Sequence, residues 1–291
     1  MTVAPVSQAE QYLLAVRRGE SPAKYRSSLA SLAPDELATA LSSDEQRLAF
    51  WVNCYNAITQ RVIAENKTGY KSRRDFFKTP HETVAGYEVS LNDIEHGILR
   101  CGQHPFGGGY LRRPSRSRDD FLQQQELSKR DPRVHFALNC GAKSCPPIRT
   151  YTSEEVTEQL DVATRAYLDQ HVEYAPESGG ILSRVFGPGT VTVPRRMLWY
   201  RGDFGRKRDI ISFLRYYDQL PQGVWPRIAY HDWDWSFDPA DYATAHTIES
   251  SEDAGETTET ASGNGTGSRE GTVAESETMA AESSGSTDSR E

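Results

Sequence analysis

The chain has 291 residues, enough for one large domain or two small ones, and a formal net charge of −8. Segment 249–291 holds 11 of the 41 acidic residues and 2 of the 33 basic ones, so residues 1–248 are nearly neutral. That balance argues against a nucleic-acid-binding protein, which would carry a basic surplus, and no apolar run reaches the roughly 18 residues that a membrane span needs.

The first predicted elements are two short helices near the N-terminus. Ser7 and Glu10 have the spacing of a capping box, which predicts a helix that ends near Arg18. A second short helix is predicted over 35–41. We therefore expect residues 1–40 to form an N-terminal helical extension of the main domain.

The strongest helical pattern lies over 44–66. Apolar residues recur there at intervals of three and four, at Leu48, Trp51, Val52, Tyr55, Ile58, Val62 and Ile63. Asn53 and Asn56 belong to a second, polar line, although asparagine is a poor helix former. Two interpretations stay open for this pair: it bonds a buried loop backbone, or it anchors a ligand.

A hairpin and another helix follow. Residues 83–89 predict two short strands, and Ser90 predicts the start of a helix over 90–100. Glu95 and His96 flank the apolar stripe of that helix. Residues 102–118 are rich in glycine, proline and arginine, which predicts a long loop.

Segment 134–140 alternates apolar and polar residues, which predicts a strand. In such a strand Cys140 would share the apolar face with Val134, and His135 would lie on the opposite face. A loop that holds Cys145 would follow the strand.

The rest of the chain predicts further short elements. They are a helix over 152–170, a hairpin of 181–186 with 190–193, helices over 194–200 and 205–217, and a strand over 227–230. Four aromatic residues are expected to pack in the core rather than to bind a ligand: Trp199, Tyr200, Trp233 and Trp235. Helices with short, mostly hairpin-linked strands indicate a single α+β domain over 41–248. Segment 249–291 has no apolar period and predicts a disordered acidic tail.

Four blocks of sequence occur in a recognisable order. They are FWVNCYNA (50–57), SLNDIEHGILR (90–100), HFALNCGAKSCPPIRTYT (135–152) and VTVPRRMLWYRGDF (191–204). On these blocks, residues 40–235 resemble domain-of-unknown-function family 547. The resemblance implies an ancient single domain without an established general activity, and it leaves an enzyme and an interaction module both open.

Cysteine chemistry is the first hypothesis for function. A thiol needs a nearby cation, histidine or helix N-terminus to ionise at neutral pH. Cys145, which lies close to Lys143, or Cys140 would be the nucleophile. His96 is the preferred general base, because His135 and Cys140 are predicted on opposite faces of a strand; His135 is the second candidate.

Further polar side chains complete this hypothesis. Glu95, Asn53, Asn56 or Asn139 would orient the base, and the three asparagines and Lys143 are also the candidate ligand-binding residues. The reaction would be hydrolysis or acyl transfer on an amide or thioester. The expected partner is a small molecule or peptide, and no cofactor or metal is expected.

Three alternatives stay open. His96, His135, Cys140 and Cys145 would supply four zinc ligands, although their spacing fits no common zinc motif. Cys140 and Cys145 alone would form a redox-responsive disulfide. Finally, the same residues would form the rigid polar core of a non-catalytic ligand-binding or protein-interaction module.

The N-terminal sequence and the cysteine spacing indicate the cellular compartment of the protein. The first residues lack the basic stretch and apolar core of a signal peptide, and the four cysteines show no C-x-x-C spacing. We therefore expect a cytoplasmic protein with free thiols, of which Cys54 and Cys101 are structural. Neither nucleic acid nor a membrane is expected as a partner, and the oligomeric state stays open.

Overall fold

Four helices form the N-terminal part of the chain. They are α1 (Pro5–Arg17), α2 (Ala23–Ala30), α3 (Pro34–Ala40) and α4 (Asp44–Glu65). Helix α4 is buried over most of its surface, since its apolar stripe lies in the core and its polar residues Asn53, Asn56 and Thr59 are buried as well. Helix α1 packs along it. Helices α1–α3, which lie within the predicted extension 1–40, therefore contribute residues to the same apolar core as α4.

Helix α1 begins earlier than its capping pattern predicts. Pro5 follows Ala4, which makes no side-chain capping bond, and occupies the first helical position. Proline presets the helical φ and has no backbone N–H to satisfy, so it starts the helix two residues before Ser7.

The structure is a computed structural model that describes residues 4–65, 72–176 and 189–236. These residues fall in one compact unit with an α+β fold, as predicted. The predicted strand 181–186 and the predicted tail 249–291 lie outside the described residues.

The predicted hairpin over 83–89 is confirmed. Helix α5 (Arg73–Lys78) precedes it, and its strands are β1 (Pro80–Val84) and β2 (Tyr87–Ser90). Ala85 and Gly86 form the turn, with φ of 50° and 79°. Positive φ at both central residues is typical of the two-residue turns that match the twist of antiparallel strands.

The segment after β2 is helical, as predicted, but Asp93–Leu99 form a π-helix. Ser90 starts it through a reciprocal pair: its hydroxyl donates to Asp93 at 2.6 Å, and the Asp93 backbone N–H donates to Ser90 Oγ at 3.1 Å. At the other end the Arg100 backbone N–H donates to Glu95 O, five residues back, at 2.9 Å. π-Helical turns are rare and are frequent at functional sites.

The predicted strand over 134–140 is wrong, because Pro132–Phe136 form a 3₁₀ helix. Asp131 caps this helix by accepting from the Arg133 backbone N–H at 2.9 Å, and its proline presets the first turn. Every residue from 134 to 138 is buried. The alternation of residue types therefore does not separate a buried face from an exposed one, and the opposite-face argument for His135 and Cys140 fails.

The remaining elements are short except for one helix. In chain order they are the 3₁₀ turn Ser115–Ser117, α6 (Asp120–Gln125), α7 (Val156–His171), β3 (Glu173–Ala175), β4 (Thr190–Val193), α8 (Arg196–Trp199), α9 (Arg201–Phe204), α10 (Lys207–Tyr216) and β5 (Arg227–Tyr230). Strands β3, β4 and β5 form a sheet in that order; β3 and β4 are antiparallel, and β4 and β5 are parallel. Local patterns do not predict the parallel pair, because three helices separate its strands in sequence.

Two apolar clusters make up the core. The larger joins α1–α4, the hairpin and the π-helix, and the smaller joins the end of α7, the three-stranded sheet and α8–α10. The 3₁₀ helix lies at their boundary, since Val134 packs in the larger cluster and Phe136 in the smaller. None of the helices in the described ranges is both long enough and apolar enough to cross a membrane.

Asn56 fixes the loop that follows this 3₁₀ helix. It is fully buried, donates to Ala137 O and accepts from the Asn139 backbone N–H, each at 3.0 Å. Asn56→Ala is expected to lower the free energy of unfolding by roughly 2–5 kcal/mol, because two buried backbone groups lose their partners. Urea unfolding followed by circular dichroism measures the change.

Thr59→Val is the matched control for this variant. Thr59 is also fully buried in α4, but its hydroxyl has no hydrogen-bond partner. The control should change the free energy of unfolding by less than about 1 kcal/mol. Equal losses in the two variants would contradict the role assigned to Asn56.

Candidate functional site

A pocket of about 610 Å³ is lined by side chains from α4, α5, the π-helix and α8. Four of the predicted site residues line it: Glu95, His96, His135 and Cys140. The fold thus gathers one carboxylate, two imidazoles and a thiol from separate segments. Five predicted site residues do not line the pocket: Cys145, Asn53, Asn56, Asn139 and Lys143.

Asp203, in α9, is the centre of a buried polar network. Its carboxylate accepts from Arg100 Nε at 2.5 Å, from Arg130 at 2.7 Å and from His135 Nε2 at 2.9 Å. Its side chain is 2% exposed. Burial opposes ionisation, but the hydrogen bonds from His135 and Arg100 hold the pKa of Asp203 well below its usual range. The network therefore contains an ionised carboxylate.

Glycine permits the approach that places Asp203. The Gly202 N–H donates to Gly108 O at 2.7 Å, and a Cβ on Gly202 would overlap the backbone of Gly109. Arg130 bridges the same contact by donating to Gly109 O at 2.6 Å. The loop 102–118 is thereby fixed against α9.

Asp203 sets the tautomer of His135. An ionised carboxylate only accepts, so Nε2 of His135 must carry a hydrogen. Burial lowers the pKa of His135 although Asp203 opposes that shift, so the ring is neutral at pH 7 and Nδ1 holds the lone pair. Tyr200 stacks on the ring with centroids 4.1 Å apart. A neutral histidine oriented by a buried aspartate has the arrangement of a general base.

His96 has the opposite arrangement. Arg100 has no acceptor and lies 2.7 Å from Nδ1 of His96, so the guanidinium donates to that nitrogen. Burial lowers the pKa of His96 to about 4, which leaves a neutral ring with its hydrogen on Nε2. His96 is therefore a hydrogen-bond donor whose basic nitrogen is occupied. This geometry conflicts with the role of general base expected from the sequence.

Glu95 adds a negative charge to the pocket wall. The Tyr55 hydroxyl donates to it at 3.3 Å, and the Tyr200 hydroxyl is also hydrogen-bonded to it. Burial disfavours the carboxylate, but His96, Arg100 and the Tyr200 hydrogen bond lower the pKa of Glu95. Glu95 is thus ionised and orders two phenol groups.

Cys140 and Cys145 form a contact pair. Their Sγ atoms are 2.8 Å apart, and the Cys140 backbone N–H donates to Cys145 Sγ at 3.1 Å. Burial disfavours a thiolate, but the hydrogen bond from Cys140 and the charge of Arg196 lower the pKa of Cys145 to about 7. The bond to Cys145 raises the pKa of Cys140. The pair therefore loses one proton near neutral pH and keeps the other.

The cation beside the pair is Arg196 and not the predicted Lys143. An Arg196 nitrogen lies 3.9 Å from Cys145 Sγ. The Lys143 side chain is exposed, and its backbone N–H donates to Ser236 O at 3.0 Å.

The predicted asparagines hold the loop that carries both cysteines. Asn53 donates to Tyr151 O at 2.7 Å and accepts from the Tyr151 backbone N–H at 3.0 Å. Asn139 donates to Pro146 O at 2.9 Å. With Asn56, these amides bind backbone on both sides of the loop, which favours the first of the two interpretations of the asparagine pair.

The four candidate zinc ligands do not form a metal site. Within the described ranges, no group of three or more histidine, cysteine, aspartate or glutamate side chains is arranged to hold a metal ion. The zinc alternative therefore has no support.

Tryptophans form another wall of the pocket. The rings of Trp199, Trp233 and Trp235 have centroids 5.3 to 5.9 Å apart, and Arg73 lies 4.4 Å from the centroid of Trp235. All three rings and Tyr200 line the pocket, so they contact its interior as well as one another. The pocket thus combines polar groups with flat apolar surfaces.

Residues 39–168 match the family model described as "Protein of unknown function, DUF547". This segment belongs to the DUF547 family. The match confirms the resemblance but is shorter than the expected 40–235, and the block 191–204 lies outside it. No curated protein and no solved structure matches the chain.

The site therefore draws on the DUF547 segment and on the short helices after it. Local patterns do not indicate four of its members: Tyr55, Arg100, Arg196 and Asp203. Two weak signals exist. Arg100 follows His96 by four residues, which places both on one side of a helix, and Asp203 is a charged residue within the aromatic block 191–204.

Proposed function

We propose that this domain is a cysteine-dependent hydrolase or acyl transferase that acts on an amide or thioester. The observation that carries the proposal is that Cys140 and His135 line the same pocket, with the His135 ring hydrogen-bonded to buried Asp203. The lowered pKa of Cys145 behind Cys140 supports it further.

Cys140 is the attacking sulfur in this proposal, because it lines the pocket and Cys145 does not. The pair shares one proton at neutral pH, so its transfer from Cys140 to Cys145 leaves the thiolate on Cys140. That thiolate forms a C–S bond to the substrate carbonyl carbon, and the carbonyl π electrons move to oxygen. The N–H of neutral His96 is the donor that would stabilise this oxyanion.

His135 carries protons through the rest of the cycle. It takes the proton held by Cys145 and gives it to the leaving amine or thiol as the C–N or C–S bond of the substrate breaks. It then accepts a proton from water or from an acceptor amine, which attacks the acyl-cysteine. The C–S bond to Cys140 breaks, Cys140 leaves as a thiolate, and His135 returns its proton to the cysteine pair. Asp203 stabilises the charged ring during both steps, as buried aspartates do in catalytic triads.

An acyl trap tests the proposal. The purified chain would be mixed with S-phenyl thioacetate from about pH 5 to pH 9, and acetylation would be located by peptide mass spectrometry. We expect Cys140 to be acetylated, with a rate that rises with pH and is half-maximal near pH 7, because the thiolate is the reactive form. His135→Gln should slow the steady-state release of thiophenol at least about 100-fold, because hydrolysis of the acyl-cysteine needs the base.

His104→Gln is the control for the histidine variant, because His104 is exposed and does not line the pocket. It should leave the rate unchanged. Acetylation of Cys140 no faster than that of Cys101, whose pKa burial raises to about 11, would refute the proposal.

A non-catalytic ligand-binding module is the second candidate. It is favoured by the bonds that already occupy one nitrogen of each buried histidine and by the backbone bonds of the asparagines. In that case a ligand would protect Cys140 from alkylation, yet no acyl-enzyme would form and no thioester would turn over.

A further inference from the structure

Arg196 is a buried cation that pairs with no carboxylate of the described residues. The residue is 5% exposed and lines the pocket, and none of the described carboxylates lies within ion-pair distance of its nitrogens. Its planar group lies 4.7 Å from the ring centroid of Trp233 and 5.4 Å from that of Tyr167. An isolated buried charge is costly, so a guanidinium in this setting is suited to an anion.

Two donors at this place lack partners. Nε of Arg196 and Nε1 of Trp233 are both buried and neither makes a hydrogen bond. Buried polar groups are satisfied in the great majority of cases, and an exception calls for an absent partner. Both groups can only donate, so the partner they require is an acceptor.

The Cys145 thiolate does not meet this requirement. One terminal nitrogen of Arg196 contacts Cys145 Sγ at 3.9 Å, which is a long contact, and Nε stays free. Nor does the sulfur satisfy the Trp233 N–H.

The charge of the pocket points in the same direction. Arg73, Arg74 and Lys78 of α5 line it together with Arg196, whereas Glu95 is the one carboxylate among the described lining residues. Glu95 is already bound by two tyrosine hydroxyls. Such a surplus of positive charge raises the local concentration of anions.

We propose that Arg196 and Trp233 form an anion subsite that binds a carboxylate or phosphate group of the substrate beside Cys140. The flat rings of Trp199 and Trp235 would contact the apolar part of the same molecule. This inference rests on the proposed function only where it places the acyl group of the substrate at Cys140. Binding of the anion itself does not require turnover.

Two alkylating reagents of similar size test the subsite. Iodoacetate carries the anion and iodoacetamide does not, and both consume the same thiolate. The rate with iodoacetate is divided by the rate with iodoacetamide at Cys140 and Cys145, and this quotient is normalised by the same quotient for free cysteine. The normalised ratio reports how strongly the pocket favours the anionic reagent, and the variants below assign that preference to the subsite. We expect a normalised ratio of at least about 10 in the unaltered chain.

Arg196→Gln should lower this normalised ratio at least about fivefold. Both reagents meet the same thiolate in the variant, but only iodoacetate loses a cationic partner. Arg195→Gln is the matched control, because Arg195 is the preceding residue and does not line the pocket. If Arg196→Gln does not fold, Trp233→Phe keeps an aromatic ring at this position, removes the N–H and should lower the ratio severalfold.

Protection assays distinguish the two sources of the anion. Phenyl phosphate and benzoate would each be added before iodoacetamide, with phenol as the uncharged reference. Slower alkylation with either anion, but not with phenol, supports the subsite and names its preferred group. A normalised ratio near 1 in the unaltered chain, without protection, overturns the inference. An elevated ratio with no acyl-enzyme would instead remove the proposed function and leave the subsite standing.

Discussion

Asp203→Asn is expected to lower the free energy of unfolding by roughly 3–5 kcal/mol, the cost of removing one member of a buried ion pair. The side chains of Asp203, Arg100 and His135 are each no more than 2% exposed. An amide of the same shape would leave the Arg100 guanidinium buried without a negative charge, and it would place an NH₂ group among donors. Urea unfolding at pH 7 measures the loss.

The loss should also depend on pH in a defined direction. The pKa of Asp203 is lower in the folded state than in the unfolded chain, where it is about 3.9. Its contribution is therefore fully present above that value and disappears as the pH falls through the folded-state pKa. The difference between the unaltered chain and Asp203→Asn should stay constant from about pH 6 to pH 8 and shrink in acid.

Asp218→Asn is the matched control, because Asp218 accepts from Arg165 at the same 2.7 Å that separates Asp203 from Arg130. Its side chain is 80% exposed. Exposed pairs contribute about 0–1 kcal/mol, so this variant should be nearly neutral. Similar losses at the two positions would mean that burial is not the source of the stability.

Cys145→Ser is expected to slow the alkylation of Cys140 by iodoacetamide at pH 7 at least about tenfold. Cys145, with a pKa of about 7, is half ionised at that pH and accepts the proton of Cys140, whereas an ordinary thiol with a pKa near 8.5 is only a few per cent ionised. Serine does not ionise, so Cys140 would lose the neighbour that carries the charge and accepts its proton. Rates would be read for the Cys140 peptide by mass spectrometry.

Cys101→Ser is the control for this prediction, because its sulfur donates to Leu127 O and belongs to no thiol pair. It should leave the alkylation of Cys140 unchanged. If Cys145→Ser accelerated alkylation, Cys145 would be shielding Cys140 rather than activating it, and the role assigned to the pair would fail.

Sequence patterns predict the elements whose burial follows a simple period. Helix α4 was expected over 44–66, the hairpin over 83–89 and β5 over 227–230, and each lies within a few residues of its prediction. The pattern fails over 134–140, because residues 134–138 are buried whatever their type and the backbone bonds to the Asn56 amide instead of to a neighbouring strand. A π-helix and a parallel strand pair leave no local periodic signal either.

Only part of the candidate site can be predicted from the sequence, for a similar reason. Their reactive residue types predict His96, His135 and Cys140 as site residues, and all three line one pocket. Their roles depend on distant partners: Asp203 sets the tautomer of His135, and Arg196 lies beside Cys145. Such partners follow from tertiary packing, which no spacing along the chain encodes.

The π-helix aligns two site residues that an α-helix would separate. Its wider turns accommodate an additional residue between Glu95, which faces Tyr55, and Arg100, which faces Asp203. If the same residues formed an ordinary α-helix, each would turn by about 100°, and the five steps from Glu95 to Arg100 would place the two side chains on different sides. Glu95 and Arg100 would then no longer reach their partners together. The site therefore depends on the type of helix in this segment as well as on the residues in it.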